Sequence, residues 1–261
     1  MHDKGRLLAH LEGKEERLLG ARIIDTATQS LTQDCPVATD FLDPHARQIA
    51  LGVLGAMPVA KRAYGGYAEA ERQRLLVYPE HYLIELLEPP LRALEVKIGG
   101  QNQELGHGDY LGAILGTGLD RGQVGDILLQ ESGCQVIVSE TALRAVLAEL
   151  RQVGQASVQV GEIDLEQLAV APQRVKELRT TVASMRLDAV AAFGFSMSRT
   201  KMVREIRAER LKLNWKVVTD PAHAVAEGDV ISMRGRGRVS VDQVTGTTRK
   251  GRIALLLKRA F

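Results

Sequence analysis

Hydrophobic residues in the first 58 positions recur at the spacing of α-helices. Over residues 14–31 the apolar positions have roughly helical spacing. Asp43 and Pro44 form a strong helix start, with Asp at the N-cap and Pro at the first helical position. We expect this helix to stop near Pro58, because proline does not continue a helix. The pattern therefore predicts an N-terminal helical region over residues 1–58.

Beyond residue 58 the pattern becomes mixed, with short stretches that are typical of strands. Residues 59–77 predict a β-hairpin with its turn at Gly65 and Gly66. The elements that follow have the order β-α-β-β-α-β, which suits a ferredoxin-like plait with helices on one face of an antiparallel sheet. They are strands at 94–98, 126–130, 135–138 and 157–163, and helices at 107–115 and 141–153.

RNA-recognition motifs share this plait topology, and their hallmark is stacking aromatic residues on the two central strands. The corresponding strands here, 94–98 and 135–138, contain no aromatic residue. We therefore predict an RRM-like α+β domain over residues 59–170 that does not stack bases on its sheet. A linker is expected at residues 167–173, where no strong period is present.

Residues 174–261 predict a third, smaller domain of strands around two short helices. Ser184 is expected to cap a helix over residues 185–193 that ends at Gly194. Ser196 or Ser198 is expected to cap a second helix that runs to about Ala208. Strands are predicted at 175–182, 211–218 and 252–257, with a turn at 227–229 leading into a strand at 230–231. The whole chain is thus predicted to be an α+β protein.

Charge separates this last domain from the rest of the chain. The net charge is +2, but the 88 residues from Arg174 onward carry 19 Lys and Arg against 8 Asp and Glu. The residues before Arg174 carry 15 against 24. A balance of +11 next to one of −9 indicates a polyanion-binding C-terminal domain. The acidic remainder is expected to contact protein or to orient the basic domain.

The second helix of the basic domain concentrates this charge. Lys201, Arg204 and Arg207 are three residues apart, so each is offset by about 60° from the last on a helix. Further basic residues lie on the same helix or on the strands after it, and the strand residues join the helical ones if the strands pack under the helix. These are Arg199, Arg210, Lys216, Arg234, Arg236 and Arg238. Such clusters neutralise phosphates, and arginine binds phosphate with two parallel hydrogen bonds. Trp215 is read as a packing anchor in preference to a base-stacking residue.

The order and spacing of these residues resemble the S-four domain, a small αLβ RNA-binding fold. The resemblance rests on Arg186-Leu187-Asp188, Ser198-Arg199, Asn214 in an LKLN strand, and Gly228-Asp229. It implies that two helices and an adjoining loop bind structured RNA, and it adds Arg186, Ser198 and Asn214 to the candidate RNA-binding residues. The chain departs from the family at Glu209, where members usually carry glycine.

The rest of the chain resembles the YlmH-type RNA-binding proteins, which include a photosystem II S-four branch. The matching segments are LGHGDYLGAILGTGLDRGQVGDILL and the ERQRLLVYP stretch over residues 71–79, although Gly108 stands where the family often carries arginine. The resemblance implies a non-enzymatic factor, without a cofactor, that binds ribosomal RNA or tRNA on the large ribosomal subunit. Its role would be in ribosome quality control or in translation-linked photosystem biogenesis. We expect a monomer in the cytoplasm, or in the plastid stroma if the source is a plant, although no transit peptide is seen.

Two other function classes stay open. His107, Asp109 and Asp126 could form an acid/base or metal site of an RNA-modifying enzyme. N-capping by Asp109 and a turn at Asp126 explain these carboxylates more simply. The other class is a protein-only assembly factor. No apolar run approaches the length of a membrane span, no secretory signal is present, and Cys35 and Cys134 are expected to be buried thiols in a reducing compartment.

Overall fold

The computed structural model describes residues 4–11, 13–99, 105–171 and 175–260, and the chain divides after residue 171. We call residues 1–171 the N-terminal unit and residues 172–261 the C-terminal unit. The last two residues of the predicted linker, 172 and 173, and Gly100 after the first plait strand lie outside the described residues.

The N-terminal helices begin where their capping residues predict. The Asp43 side chain accepts a hydrogen bond from the Ala46 N–H at 2.8 Å, which confirms the predicted helix start. The helices are α1 (Lys4–Leu8), α2 (Gly13–Gln33) and α3 (Pro44–Leu54). They share a core with an antiparallel sheet of order β1-β3-β2, made of β1 (Val37–Ala38), β2 (Ala60–Tyr64) and β3 (Arg74–Tyr78). The predicted hairpin is therefore present, but the chain between its strands, residues 65–73, is a nine-residue loop rather than a two-residue turn.

The second sheet of the N-terminal unit has the predicted plait topology. Its order is β5-β6-β4-β8-β7, with every neighbouring pair antiparallel. The elements are β4 (Leu91–Ile98), α4 (His107–Gly116), β5 (Val124–Gln130), β6 (Gly133–Ser139), α5 (Glu140–Glu149), β7 (Gln152–Val153) and β8 (Ala156–Ile163). Short 3₁₀ turns lie at Ile84–Leu86, Arg121–Gln123 and Leu165–Gln167. Together with the helices, this sheet confirms the α+β class.

Helix α5 is shorter than its pattern predicts. Ser139 caps its start by accepting from the Ala142 N–H at 3.3 Å. The helix ends at Glu149, and residues 152–153 instead form β7, which pairs with β8 through a turn at Gly154. Gly154 has a φ of +59°, and Val153 is fully buried. Burial of Val153 beside β8 thus overrides the helical pattern at the end of this segment.

The C-terminal unit places two helices on one face of a six-stranded antiparallel sheet. The helices are α6 (Leu187–Gly194) and α7 (Arg199–Arg207). The strands are β9 (Val175–Val182), β10 (Leu211–Leu213), β11 (Lys216–Val217), β12 (Val230–Met233), β13 (Gly237–Thr247) and β14 (Ile253–Ala260), in the order β11-β10-β12-β13-β14-β9. Gly194 lets α6 approach the sheet, because a Cβ at this position would lie 2.6 Å from Val239 Cγ1.

Two predicted elements of the C-terminal unit differ in the structure. Helix α6 begins at Leu187 rather than Met185, with Arg186 and not Ser184 at its N-cap. The Leu187 and Asp188 N–H groups donate to the carbonyl oxygens of His223 and Pro221, so the 221–225 loop satisfies this helix start. The predicted strand at 211–218 is a hairpin of β10 and β11, because Asn214 and Trp215 both have positive φ, as a type I′ turn requires.

Glu209 ends α7 in the left-handed conformation, with a φ of +58°. Its N–H donates to the Ile206 carbonyl, and the Arg210 N–H donates to the Glu205 carbonyl, which together form a Schellman motif. Glycine is favoured at this position because a Cβ makes the left-handed conformation costly. The departure from the family pattern at Glu209 therefore falls on a strained backbone position.

Two further sequence expectations concern thiols and membranes. Cys134 is buried, as expected, but the prediction is wrong for Cys35, which is partly exposed at the end of α2. Within the described part of the chain, no helix combines the length and the apolar character that a membrane crossing requires.

Candidate RNA-binding site

Helix α7 presents the predicted basic residues to solvent. Ser198 caps the helix by accepting from the Lys201 N–H at 3.3 Å, which aligns the first turn. Met202 and Ile206 are buried against the sheet, while the basic residues of the helix are exposed. These are Arg199, Lys201, Arg204 and Arg207. A nine-residue helix is about 13 Å long, and at about 100° per residue its four cations spread over roughly 200° of the circumference, with Lys201 outside the sector that holds Arg199, Arg204 and Arg207.

A buried carboxylate fixes one of these arginines together with a second from α6. The Asp188 side chain is only 4% exposed, and both its oxygens lie 3.0 Å from Arg199 Nη2. Arg186 donates to the same carboxylate from Nη2 at 3.1 Å and from Nε at 3.3 Å. The side chains of Arg186 and Arg199 are 39% and 57% exposed. Asp188 therefore holds two solvent-facing arginines in place at the start of both helices.

The ionisation of Asp188 follows from these contacts. Burial alone raises the pKa of a carboxyl group, but hydrogen bonds from Arg186 and Arg199 outweigh burial and leave the pKa of Asp188 below its ordinary value. The carboxylate is thus charged at neutral pH and keeps both arginines oriented. An oriented guanidinium loses less side-chain entropy when it binds a phosphate.

An open groove of about 410 Å³ runs along this arrangement. Its lining residues are Asp188, Arg199, Thr200, Val203, Arg204 and Arg207. Three of the six are predicted RNA-binding arginines, and Arg186 borders the groove through its contact with Asp188. The groove therefore combines a small apolar floor at Val203 with a row of phosphate-binding groups.

The turn between β12 and β13 brings two more predicted residues to the end of α7. The Arg234 N–H donates to the carbonyl oxygen of Arg210, the third residue after the helix, at 3.3 Å. Arg234 and Arg236 are exposed on this turn. They extend the basic surface beyond the C-terminal end of the helix.

Asn214 and Lys216 lie at the other end of the short strand β10. The Asn214 side chain donates to Asp229 Oδ1 at 2.7 Å and accepts from the Val230 N–H at 2.9 Å. These bonds join the β10–β11 turn to the Gly228-Asp229 turn, so the amide of Asn214 has a structural role. Lys216 is exposed on β11.

Arg238 lies away from the helical face. It pairs with Ser232, which pairs with Lys212, whereas the alternate residues Leu211 and Met233 enter the core under the helices. Since neighbouring residues of a strand point to opposite faces, Arg238 lies on the sheet face opposite α6 and α7. The expectation that all strand cations converge under the helix is therefore wrong for Arg238.

Asp188, Thr200 and Val203 are the groove residues that the sequence did not mark as RNA-binding candidates. Asp188 stands in the motif Arg186-Leu187-Asp188, and its neighbour Arg186 was a candidate. An acidic residue inside a basic segment is a weak signal by itself. Its role becomes visible only when the fold places Arg199, eleven residues later, on the same carboxylate.

Arginines of the N-terminal unit are used differently. Arg72 donates to the carbonyl oxygens of Phe41 at 2.6 Å and Val124 at 3.1 Å. Arg74 donates to the carbonyls of Thr39 and Pro90, both at 2.6 Å, and Arg121 donates to the carbonyls of Val124 and Gly125. Burial lowers the pKa of Arg121 to about 10 and also lowers the pKa of Arg72. The ERQRLLVYP stretch is thus a structural junction between the two sheets.

The plait face that RNA-recognition motifs use is covered here by the chain itself. Ile137 on this face of β6 is fully buried with Phe41 and Leu91, and the side chains that pack over them are Tyr64, Tyr67, Leu165 and Leu168. Gln135, two residues earlier, donates to the Gln167 carbonyl and accepts from the Ala169 N–H. The absence of stacking aromatics on the central strands therefore agrees with a face that is used for internal packing.

The carboxylates of the alternative catalytic site have structural partners. Asp126 accepts from the Tyr67 hydroxyl at 2.9 Å and from the Glu71 and Arg72 N–H groups at 2.7 and 3.2 Å. Asp109 accepts from the Gly106 N–H at 2.8 Å and so stabilises the start of α4. Among the described residues, no cluster of three or more His, Cys, Asp or Glu side chains could hold a metal ion.

Comparison with known proteins places this site in a family. Three family models match: the YlmH N-terminal domain over residues 15–82, the YlmH RNA-binding domain over residues 90–167, and the S4 domain over residues 185–231. The ribosome-associated protein quality control protein P2 of Bacillus subtilis is 39% identical over 221 residues, which cover 85% of this chain and 86% of the relative. The chain belongs to the YlmH family.

Two more comparisons bear on single parts of this YlmH-family protein. The small ribosomal subunit protein uS4 of Desulfotalea psychrophila is 40% identical over 70 residues, which cover 25% of this chain and 33% of that protein. The solved structure of the cell division protein ylmH from Streptococcus pneumoniae matches with a TM-score of 0.52 and 21% identity, covering 61% of this chain and 98% of that one. The structural match supports the fold. The RNA-binding and S4 domains, with the ribosome-associated relative, support RNA binding and ribosome association.

Proposed function

We propose that this YlmH-family protein is a non-enzymatic factor that binds structured RNA of the large ribosomal subunit, either ribosomal RNA or tRNA, through the groove along α7. The observation that carries the proposal is the buried Asp188 carboxylate. It fixes Arg186 and Arg199 as two oriented, solvent-facing guanidinium groups beside the exposed Arg204 and Arg207. This geometry suits phosphate oxygens of a folded RNA backbone.

The name of the Bacillus relative supports a role in ribosome-associated quality control, and we extend that role to this chain as part of the proposal. A cytoplasmic location follows from the same role. The N-terminal unit, with its covered plait face and buried arginines, would contact protein or position the C-terminal unit on the ribosome. The link to photosystem biogenesis and the monomeric state stay predictions, as do the domain boundaries after residues 58 and 170.

Charge reversal in the groove tests the proposal. The double variant Arg199→Glu and Arg204→Glu should abolish co-sedimentation with large ribosomal subunits, because two attractive phosphate contacts become repulsive. The matched control is Arg179→Glu with Lys212→Glu, which changes net charge equally on the sheet face opposite the helices. Circular dichroism confirms folding of both variants. Loss of co-sedimentation with ribosomal subunits in both variants would show that net charge alone governs binding. Retained binding by the groove variant would reject the groove as the RNA-binding site.

A further inference from the structure

The long β13–β14 hairpin carries a second concentration of positive charge. From Gln243 to Phe261 the sequence contains five Lys and Arg and no Asp or Glu. This segment begins after residue 231, where the match to the S4 domain ends. Its tip, residues 248–252, reads Thr-Arg-Lys-Gly-Arg. We propose that the hairpin tip is a second RNA-backbone contact, separate from the groove along α7, and this inference rests on the proposed RNA-binding function.

The tip is a defined turn. The Thr248 N–H donates to the Arg252 carbonyl at 2.7 Å, and the Gly251 N–H donates to the Thr248 carbonyl at 2.9 Å. The Arg252 N–H donates to Thr248 Oγ1 at 3.1 Å, and Gly251 takes the left-handed conformation with a φ of +71°. Arg249 and Lys250 therefore project from a hydrogen-bonded loop, which lowers the entropy that a contact with a ligand costs.

The third cation of the tip fastens the loop to the sheet. Arg252 donates from Nη2 to the Thr181 carbonyl at 2.6 Å and from Nε to Thr181 Oγ1 at 3.0 Å. Arg249 and Lys250 are exposed, and neither forms a hydrogen bond or ion pair with any other described residue. The tip thus uses one cation for its own position and presents two to solvent.

The base of the tip lies beside the start of α6. Ile253 pairs with Val182, the last residue of β9, and Arg186 follows Val182 by four residues. Four residues span at most about 14 Å. Ile253 and Met185 also pack on the same core. One RNA segment could therefore contact the Arg186–Arg199 pair and the hairpin tip together.

The edge of β13 near the tip bends away from regular pairing. Register shifts occur between Val241 and Gln243 and between Val244 and Gly246. Residues 243–247 are exposed, and β12 pairs only with residues 237–240 of this strand. Bulges of this kind re-aim a strand and protect an unpaired edge from other strands. Residues 243–247 still pair with β14 and lead directly into the basic tip, while β12 leaves the other edge of this segment uncovered.

Salt dependence of RNA binding by the full chain tests this inference. The probe is deproteinised large-subunit ribosomal RNA, titrated by filter binding over a series of NaCl concentrations. The double variant Arg249→Ser with Lys250→Ser should bind more weakly, and its log–log salt slope should be shallower by about 1.4 to 1.8, since each phosphate contact contributes roughly 0.7 to 0.9. The control Arg179→Ser with Lys212→Ser removes the same charge from the opposite sheet face and should keep the wild-type slope.

Three outcomes separate this inference from the groove proposal. A tip variant with the same slope as the control overturns the inference. A tip variant that keeps its RNA slope but no longer joins intact ribosomes also overturns it, because the partner is then a protein. If Arg199→Glu with Arg204→Glu binds RNA as the wild type does while the tip variant loses two contacts, the inference about the tip is retained and the proposal for the groove is rejected.

Discussion

Two arginines of the N-terminal unit and two of the C-terminal unit have opposite uses. In the N-terminal unit, Arg72 and Arg74 direct their N–H groups at backbone carbonyls inside the fold. In the C-terminal unit, Arg204 and Arg207 direct theirs into an open groove. Because a guanidinium has five N–H donors and no acceptor, donors that bind internal carbonyls are lost to an external phosphate. The fold therefore decides which donors stay available to an external phosphate, and the number of basic residues does not.

The same comparison holds for the two RNA-binding domains that the family models identify. In the plait of the N-terminal unit, the sheet face opposite the helices is covered by Phe41, Tyr64 and residues 165–169. The C-terminal unit leaves its helical face open along α7. A domain of a recognised RNA-binding class thus need not use the face by which its topological relatives bind RNA.

Truncation of a half-buried arginine should give the largest effect on stability. Arg72→Ala removes a charged group that bonds to the Phe41, Arg121 and Val124 carbonyls, and it leaves these acceptors buried. We expect the free energy of unfolding to fall by about 3 kcal/mol, measured by urea denaturation. RNA affinity of the folded protein should be unchanged.

Arg204→Ala is the matched control for that variant. Its side chain is exposed on α7, so the free energy of unfolding should change by less than about 0.5 kcal/mol. RNA affinity should fall instead. If Arg72→Ala weakens RNA binding while stability holds, the assignment of structural and binding arginines to the two units is wrong.

Removal of the Asp188 charge should weaken RNA binding about tenfold. A simple charge argument predicts the opposite, because Asp188→Asn makes a phosphate-binding surface more positive. We expect loss because Arg186 and Arg199 are no longer held by the carboxylate, and a tenfold change corresponds to about 1.4 kcal/mol. Filter binding gives the affinity, and Glu209→Gln, which removes an exposed acid outside the groove, should keep or raise it. Tighter binding by Asp188→Asn would contradict the positioning role.

The pH dependence of stability provides a second test of the ion pairs of Asp188. The pKa of Asp188 is lower in the folded protein than its ordinary value of about 3.9. Its ion pairs therefore stabilise the fold above that pH, and the contribution is lost as pH falls through the lowered pKa. Unfolding of Asp188→Asn should depend less on pH in this acidic range than unfolding of the wild type.

The smallest effect should come from the end of α7. Glu209→Gly places glycine at the left-handed position of the Schellman motif, and we expect the free energy of unfolding to rise by about 1 kcal/mol. Lys201→Gly, in the first turn of α7, should lower it. Thermal denaturation checks both signs, and a loss of stability in both variants would mean that Glu209 carries no strain.

Local sequence predicted those features that depend on neighbouring residues. Asp43 caps the helix that follows it, and Ser198, one of the two predicted candidates, caps α7, because the bond joins a side chain to an N–H three residues later. Features that depend on distant residues were predicted less well. The start of α6 follows from the 221–225 loop rather than from Ser184, and β7 forms only because β8 lies beside it.

By itself, the sequence determined the order of the elements, the separation of acidic and basic parts, and the basic character of α7. Composition and local periodicity are properties of contiguous residues, and they can be determined without knowledge of the fold. The tertiary structure alone decided which cations face solvent. It placed the guanidinium groups of Arg72 and Arg121 against backbone carbonyls, turned Arg238 to the opposite sheet face, and brought Arg199 into contact with Asp188. Hydrogen-bond donors are assigned by contacts between residues far apart in the chain, and a linear pattern does not contain those contacts.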